Sequence, residues 1–224
     1  MKKRTASNNK KNGRTSKSTS HSPNGRSHAV AARSNGRKSA SRTSRRPLSQ
    51  TWLNDFLSEM LAVEEGGIKL YEKALDELQH EELRDKLEEF HEETQRHVEL
   101  VQEMMEAAGV APEHKSPGAE AAEHKAEGLL STEVEEELRD LNNIENLVLA
   151  ETKDHWDWEM LNSIVGRIEE RELRDAVRSA VSEVFKHERE HLQWNQDSLT
   201  ALAMEMAEQS DETSEAGEAA ESQE

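Results

Sequence analysis

Four stretches of this 224-residue chain step their apolar residues by three and four, and none of useful length alternates as a strand would. The first stripe runs Leu57, Met60, Glu64, Gly67, Tyr71, Ala74 and Leu78, and the second Leu83, Leu87, Phe90, Thr94, His97, Val101 and Met104. A third takes in Leu141, Ile144, Val148, Glu151, His155, Trp158, Leu161 and Val165. The fourth joins Val177, Val181, Val184, Asn195, Leu199 and Leu202, with Glu188 and His191 in its middle. This spacing predicts helices over about 49–78, 81–108, 132–164 and 170–206. The chain is all-α.

The connections choose among bundle topologies. The first two helices are separated by a few residues around His80, and the last two by a few around Gly166, so each pair is an antiparallel hairpin. Between the pairs lie roughly 22 residues from Gly109 to Ser131, containing Pro112, Pro117, Gly118 and Gly128. A 28-residue helix is about 42 Å long, and an extended linker of that size reaches about 70 Å. The linker can therefore run the length of the bundle. Ser131 or Thr132, followed by Glu135, is read as a capping box that restarts the chain as the third helix.

Composition limits what surrounds those helices. With 33% apolar and 34% charged residues, the chain can build one medium core but not two ordinary domains. No cysteine is present, which excludes disulfides, thiolate metal sites and cysteine nucleophiles. No apolar run approaches the roughly 20 residues of a membrane span, so a soluble, cytoplasmic protein is expected. Residues 1–47 hold 14 Lys and Arg and no acid. The other 15 basic residues share the rest of the chain with all 47 acidic ones, a net of −32. The Ser/Asn/Gly-rich arm, with Asn-Gly-Arg ending at Arg14, Arg26 and Arg37, lacks the apolar surface to offset its ordering entropy and is read as disordered. Residues 48–208 form the body, and 209–224 read as a disordered acidic tail.

Glu188 and His191 pose the chemical question. A carboxylate and an imidazole facing a bundle core are costly unless something such as a metal ion compensates them. Similar polar residues interrupt the middle of the other three stripes, and antiparallel packing would gather them at one depth. Glu64 followed by Tyr71 on one helix face in EEGGIKLY, EETQRHVELVQEMMEAAG in the second helix and DHWDW in the third resemble segments of the ferritin-like superfamily, of rubrerythrin or bacterial stress-associated type. The resemblance covers about residues 49–206. It implies a ferritin-like four-helix bundle with a long crossover between helices 2 and 3.

That family takes a Glu from helices 1 and 3 and a Glu-x-x-His pair from helices 2 and 4. Carried over, the resemblance implies Glu64, Glu93, His97, Glu151, Glu188 and His191 as ligands of a dinuclear iron or manganese site. One departure stands out. Thr94 occupies the position three before His97, while Glu93 lies one residue earlier and about 100° around the helix. Glu93 reaching the metals, Thr94 bonding a ligand from behind, and a weak metal position all remain open. Asp154 and His155, three and four residues after Glu151, could each complete a site by rotating inward. Glu65 and Glu145 are read as surface residues.

Other readings use the same letters. Residues 187–191, HEREH, match the His-Glu-x-x-His of zinc metallopeptidases, with His187 and His191 as ligands and Glu188 as base, whereas the ferritin-like reading gives His187 no necessary role. The five-histidine spacing of hemerythrin is not reproduced. The resemblance implies iron oxidation, iron handling or protection against peroxide, with iron ions as partner and a homo-oligomer as one assembly. The alternative is a non-catalytic helical interaction protein. In either case the basic arm is expected to bind nucleic acid without sequence preference, or an acidic partner.

Overall fold

The computed structural model describes residues 48–111 and 113–221, with side chains up to Glu208, so the basic arm read at residues 1–47 lies outside the described residues. Those residues form five helices and no strand. The helices are α1 (Gln50–Glu77), α2 (Arg84–Ala107), α3 (Pro117–Leu130), α4 (Arg139–Ile164) and α5 (Arg171–Glu221). Short 3-10 turns precede α2 and α4 and follow α4. No helix among the described residues is long and apolar enough to cross a membrane.

Local chemistry sets the ends. Ser49 caps α1 by accepting from the Trp52 amide. Gly109, with φ of 69°, ends α2: its own amide bonds Glu106 O and the Val110 amide bonds Met105 O, the paired bonds of a Schellman turn. α5 continues past the expected end near 206 into the stretch read as an acidic tail, where Glu and Ala favour helix.

α1, α2, α5 and α4 close a ring in which each packs against two neighbours. Cross-links give the directions. On α1 and α4, Glu64 meets Trp158, Tyr71 meets Glu151 and Glu77 meets Asn143, so the two run antiparallel. Glu93 meets His191 and Arg96 meets Glu183, which makes α2 and α5 antiparallel as well. Buried Asp140 fixes the start of α4 to the turn after α1, accepting from the amides of Gln79 and His80 and from His80 Nδ1. The crossover from α2 to α4 therefore travels the length of α1.

It does so as a helix rather than as an extended linker. Ser116 accepts from the Ala119 amide as N-cap of α3, and Pro117 follows at the first position, where its missing N–H costs nothing. Ser116 Oγ also donates to Asp55 O, and Ser58 Oγ donates to His114 O, which ties the start of α3 to α1. Gly66 permits the close approach further along, since a Cβ there would lie 3.0 Å from the Ala126 Cβ. Ser131 and Thr132 do not cap the next helix: both hydroxyls donate back to Gly128 O at the end of α3. α4 begins only at Arg139, after the 3-10 turn Glu136–Leu138.

The core divides in two. Leu57, Met60, Val101, Met104, Trp158, Leu161, Leu173 and Val184 fill one end, and Leu70, Tyr71, Leu87, Phe90, Ile144 and Leu147 fill the other. Between them, each of the four ring helices turns buried polar side chains inward.

Candidate metal centre

The polar layer follows from helical spacing. On α1 Glu64 lies between Met60 and Tyr71, and on α2 Thr94 and His97 lie between Phe90 and Val101. On α4 Glu151 and Asp154 separate Leu147 from Trp158, and on α5 Glu188, His191 and Asn195 separate Val184 from Leu202. Because neighbouring helices run antiparallel, these positions meet at one depth.

They form two groups that could hold metal ions: Glu64, His97 and Asp154, and Glu151, Glu188 and His191. Within each group the candidate ligand atoms lie within 4.8 Å of one another, and all six residues are buried. Glu188 stands between the groups. Its Oε1 is 3.1 Å from His97 Nδ1 and 3.8 Å from His191 Nδ1, although neither approach has hydrogen-bond geometry. His97 Nδ1 also lies 3.6 Å from Glu64 Oε2, and His191 Nδ1 lies 3.5 Å from Glu151 Oε2.

Surrounding donors hold the outer oxygens and leave the inner ones open. Trp158 Nε1 donates to Glu64 Oε1 at 2.8 Å, and the Tyr71 hydroxyl donates to Glu151 Oε1 at 2.6 Å. Asn195 Nδ2 donates to Tyr71 at 3.3 Å and to His191 O at 3.0 Å. Among the described residues, Glu64 Oε2, Glu151 Oε2, Asp154 Oδ1, both Glu188 oxygens and Nδ1 of His97 and His191 are buried without a hydrogen-bond partner. Buried polar groups are ordinarily satisfied, so such a concentration of unpartnered lone pairs fits a site for a cation.

Electrostatics agree. Burial, and then repulsion from Glu188, Glu64 and Glu151, holds the Asp154 carboxyl well above the usual range. Burial pushes Glu188 up to about 7, against the lowering effect of His97. Burial pulls His97 down, but Glu64 and Glu188 more than offset it and raise the ring to about 9. His191 is lifted to about 10 against its own burial by Glu151, Glu93 and Glu188. A crowded set of carboxylates in a low dielectric attracts positive charge, and a divalent cation supplies it without protonating the ligands.

Glu93 lies outside both buried groups of candidate ligands. It is 27% exposed at the α2–α5 seam and accepts from His191 Nε2 at 2.8 Å, a bond that lowers its pKa. Thr94 is buried, but its hydroxyl donates back to Phe90 O and offers the centre no carboxylate. The third acid of the Glu64–His97 group is Asp154. A stripe through Glu151 can continue at step three or four, and the helix turns Asp154 inward and leaves His155 half-buried. His187 lies outside both groups, with Nδ1 3.3 Å from His97 Nε2. The two histidines of HEREH meet instead at Glu93, whose oxygens lie 3.5 Å from His187 Nε2 and 2.8 Å from His191 Nε2. Glu65 and Glu145 are exposed, as the stripes predict.

Residues 49–151 match a family described as Domain of unknown function (DUF892), a family of ferritin-like fold. The matched segment carries Glu64, His97 and Glu151 and ends before Asp154 and the two ligand candidates of α5. No curated protein and no solved structure gives a match. Over that segment, the chain is similar to this family.

Proposed function

We propose that the protein is a ferritin-like metal-binding protein whose polar layer holds two adjacent iron or manganese ions for iron oxidation, iron handling or defence against peroxide. One observation carries this reading: seven unpartnered lone-pair atoms from four helices point into one buried layer. The match of residues 49–151 to a ferritin-like family and the long crossover support it.

Glu64, His97 and Asp154 would hold one ion, and Glu151 and His191 the other, with Glu188 reaching both. Carboxylate and imidazole donors without thiolate suit ferrous or manganous ions. When bound, such a pair supplies electrons to O₂ or peroxide. The chain's own part is positioning. Trp158 and Tyr71 each bond one oxygen of a ligand carboxylate and so aim the other oxygen inward. The flanking apolar layers keep bulk water from both sides. The acidic body raises the local concentration of divalent cations.

The test is metal analysis of purified and reconstituted protein, wild type beside Glu188→Ala. Iron or manganese near two per chain, lost in the variant, is the expected result. Absence of metal from the wild type after reconstitution would leave a helical interaction module.

A further inference from the structure

A second connection joins the two ligand groups without passing through Glu188. His97 Nε2 stands 3.3 Å from His187 Nδ1, His187 Nε2 stands 3.5 Å from Glu93 Oε1, and His191 Nε2 donates to Glu93 Oε2 at 2.8 Å. The rings of His97 and His187 lie nearly parallel, 14° apart. Glu93 and His187 are 27% and 29% exposed, whereas the two imidazoles that they touch are fully buried. The pair therefore sits at the α2–α5 seam, behind rings whose Nδ1 atoms face the centre.

Two sequence features find a common explanation here. Moving the carboxylate from position 94 to 93 turns it by about 100°, out of the core and into the seam. The first histidine of HEREH, one residue before Glu188, emerges at that same seam. Glu93 then offers one oxygen to each neighbouring histidine.

We propose that Glu93 and His187 are positioning residues that hold the rings of His191 and His97 from outside and link the two ion-binding groups through one chain of side chains. The inference rests on the metal-site reading above. An imidazole free on its outer side can flip and present either nitrogen, while a partner on Nε2 fixes Nδ1 as the inward lone pair. Because Glu93 serves both branches, displacement of one ring shifts the support of the other.

The experiment uses the full chain as wild type, Glu93→Ala, Glu93→Gln, His187→Ala and the double alanine variant. Ring ¹⁵N–¹H correlations of the metal-free protein are recorded first, and Mn²⁺ titrations follow. Loss of Glu93 should shift the ring signals of His97 as well as His191, and the His97 response should vanish in the His187→Ala background. Glu93→Gln keeps one acceptor oxygen in place of two and should restore the ring signal of one branch but not of both. Mn²⁺ affinity should fall about 10- to 100-fold in Glu93→Ala with helicity unchanged. If His97 does not respond to loss of Glu93, or responds equally without His187, the linkage is overturned. Wild-type Mn²⁺ affinity in both single alanine variants would overturn the positioning role. A wild type that binds no Mn²⁺ would instead remove the metal-site reading, and the ring signals would still decide the linkage.

Discussion

The Tyr71 hydroxyl donates to Glu151 Oε1 at 2.6 Å, while the other oxygen of the same carboxylate has no hydrogen-bond partner among the described residues. One bond thus satisfies half of Glu151 and aims the rest at the polar layer. Tyr71 is fully buried and its own ionisation is strongly disfavoured, first by burial and then by Glu151, so it acts as a donor. Tyr71→Phe removes this bond and the Asn195 contact without opening a large cavity. Chemical denaturation should show a loss of about 1–3 kcal/mol in metal-free protein, the cost of leaving a buried carboxylate unsatisfied.

Ligand substitutions should separate the two histidines of HEREH. His191→Ala removes an inward lone pair and should abolish most binding at its group, whereas His187→Ala should weaken binding but keep two ions per chain. Calorimetric stoichiometry reads the difference. Equal loss of a single zinc ion in both variants would restore the metallopeptidase reading.

Metal should also stabilise the fold. Four acids share the buried layer, and a cation relieves their repulsion. At about 100 times Kd, linkage adds about 2.7 kcal/mol. Calorimetry should record a clear rise in Tm with ferrous or manganous ion and a smaller rise in Asp154→Asn. A Tm indifferent to both ions would exclude a site in the layer.

A further test concerns the turn that receives the crossover. His80 is raised above its usual pKa, chiefly by its hydrogen bond to Asp140 and against partial burial. A histidine raised in the folded state contributes stability that is full below its unfolded pKa near 6.5 and is lost as pH rises through the folded value. The stability gap between wild type and His80→Gln should therefore be widest in mild acid and should shrink above neutrality. Asp140→Ala, which also strips acceptors from the Gln79 and His80 amides, should cost about 2–3 kcal/mol in mild acid and less above neutrality, where the amide bonds alone remain to be lost. Urea melts across that pH range decide both.

We propose for the basic arm a sequence-independent association with nucleic acid, driven by its 14 Lys and Arg. Full-length protein should retard DNA at low salt and lose it steeply as salt rises, while a chain lacking residues 1–47 should not bind. Gel retardation in a salt series measures this. No retention even at low ionic strength would point to an acidic partner instead.

Much of this arrangement is legible in the sequence because burial follows helical spacing. The stripes mark Glu64, His97, Glu151, Glu188 and His191 as inward positions, and Gly109 marks the end of α2. α3 is harder to read, since Pro117 serves equally as a helix breaker or as a first helical residue, and only the docking of Ser116 on Asp55 shows which applies. Asp154 is obscured by the ambiguity between steps of three and four after Glu151. The ferritin-like resemblance offers Glu93 as a ligand, yet one residue of rotation carries it to the seam, and the seam exists only once α5 is packed against α2.

Anomalous diffraction from crystals loaded with Mn²⁺ tests the central claim most directly. Two peaks should lie in the polar layer, one beside Glu64, His97 and Asp154 and one beside Glu151 and His191, with Glu188 reaching both. A layer without peaks, or a single ion held by His187 and His191, would contradict the account.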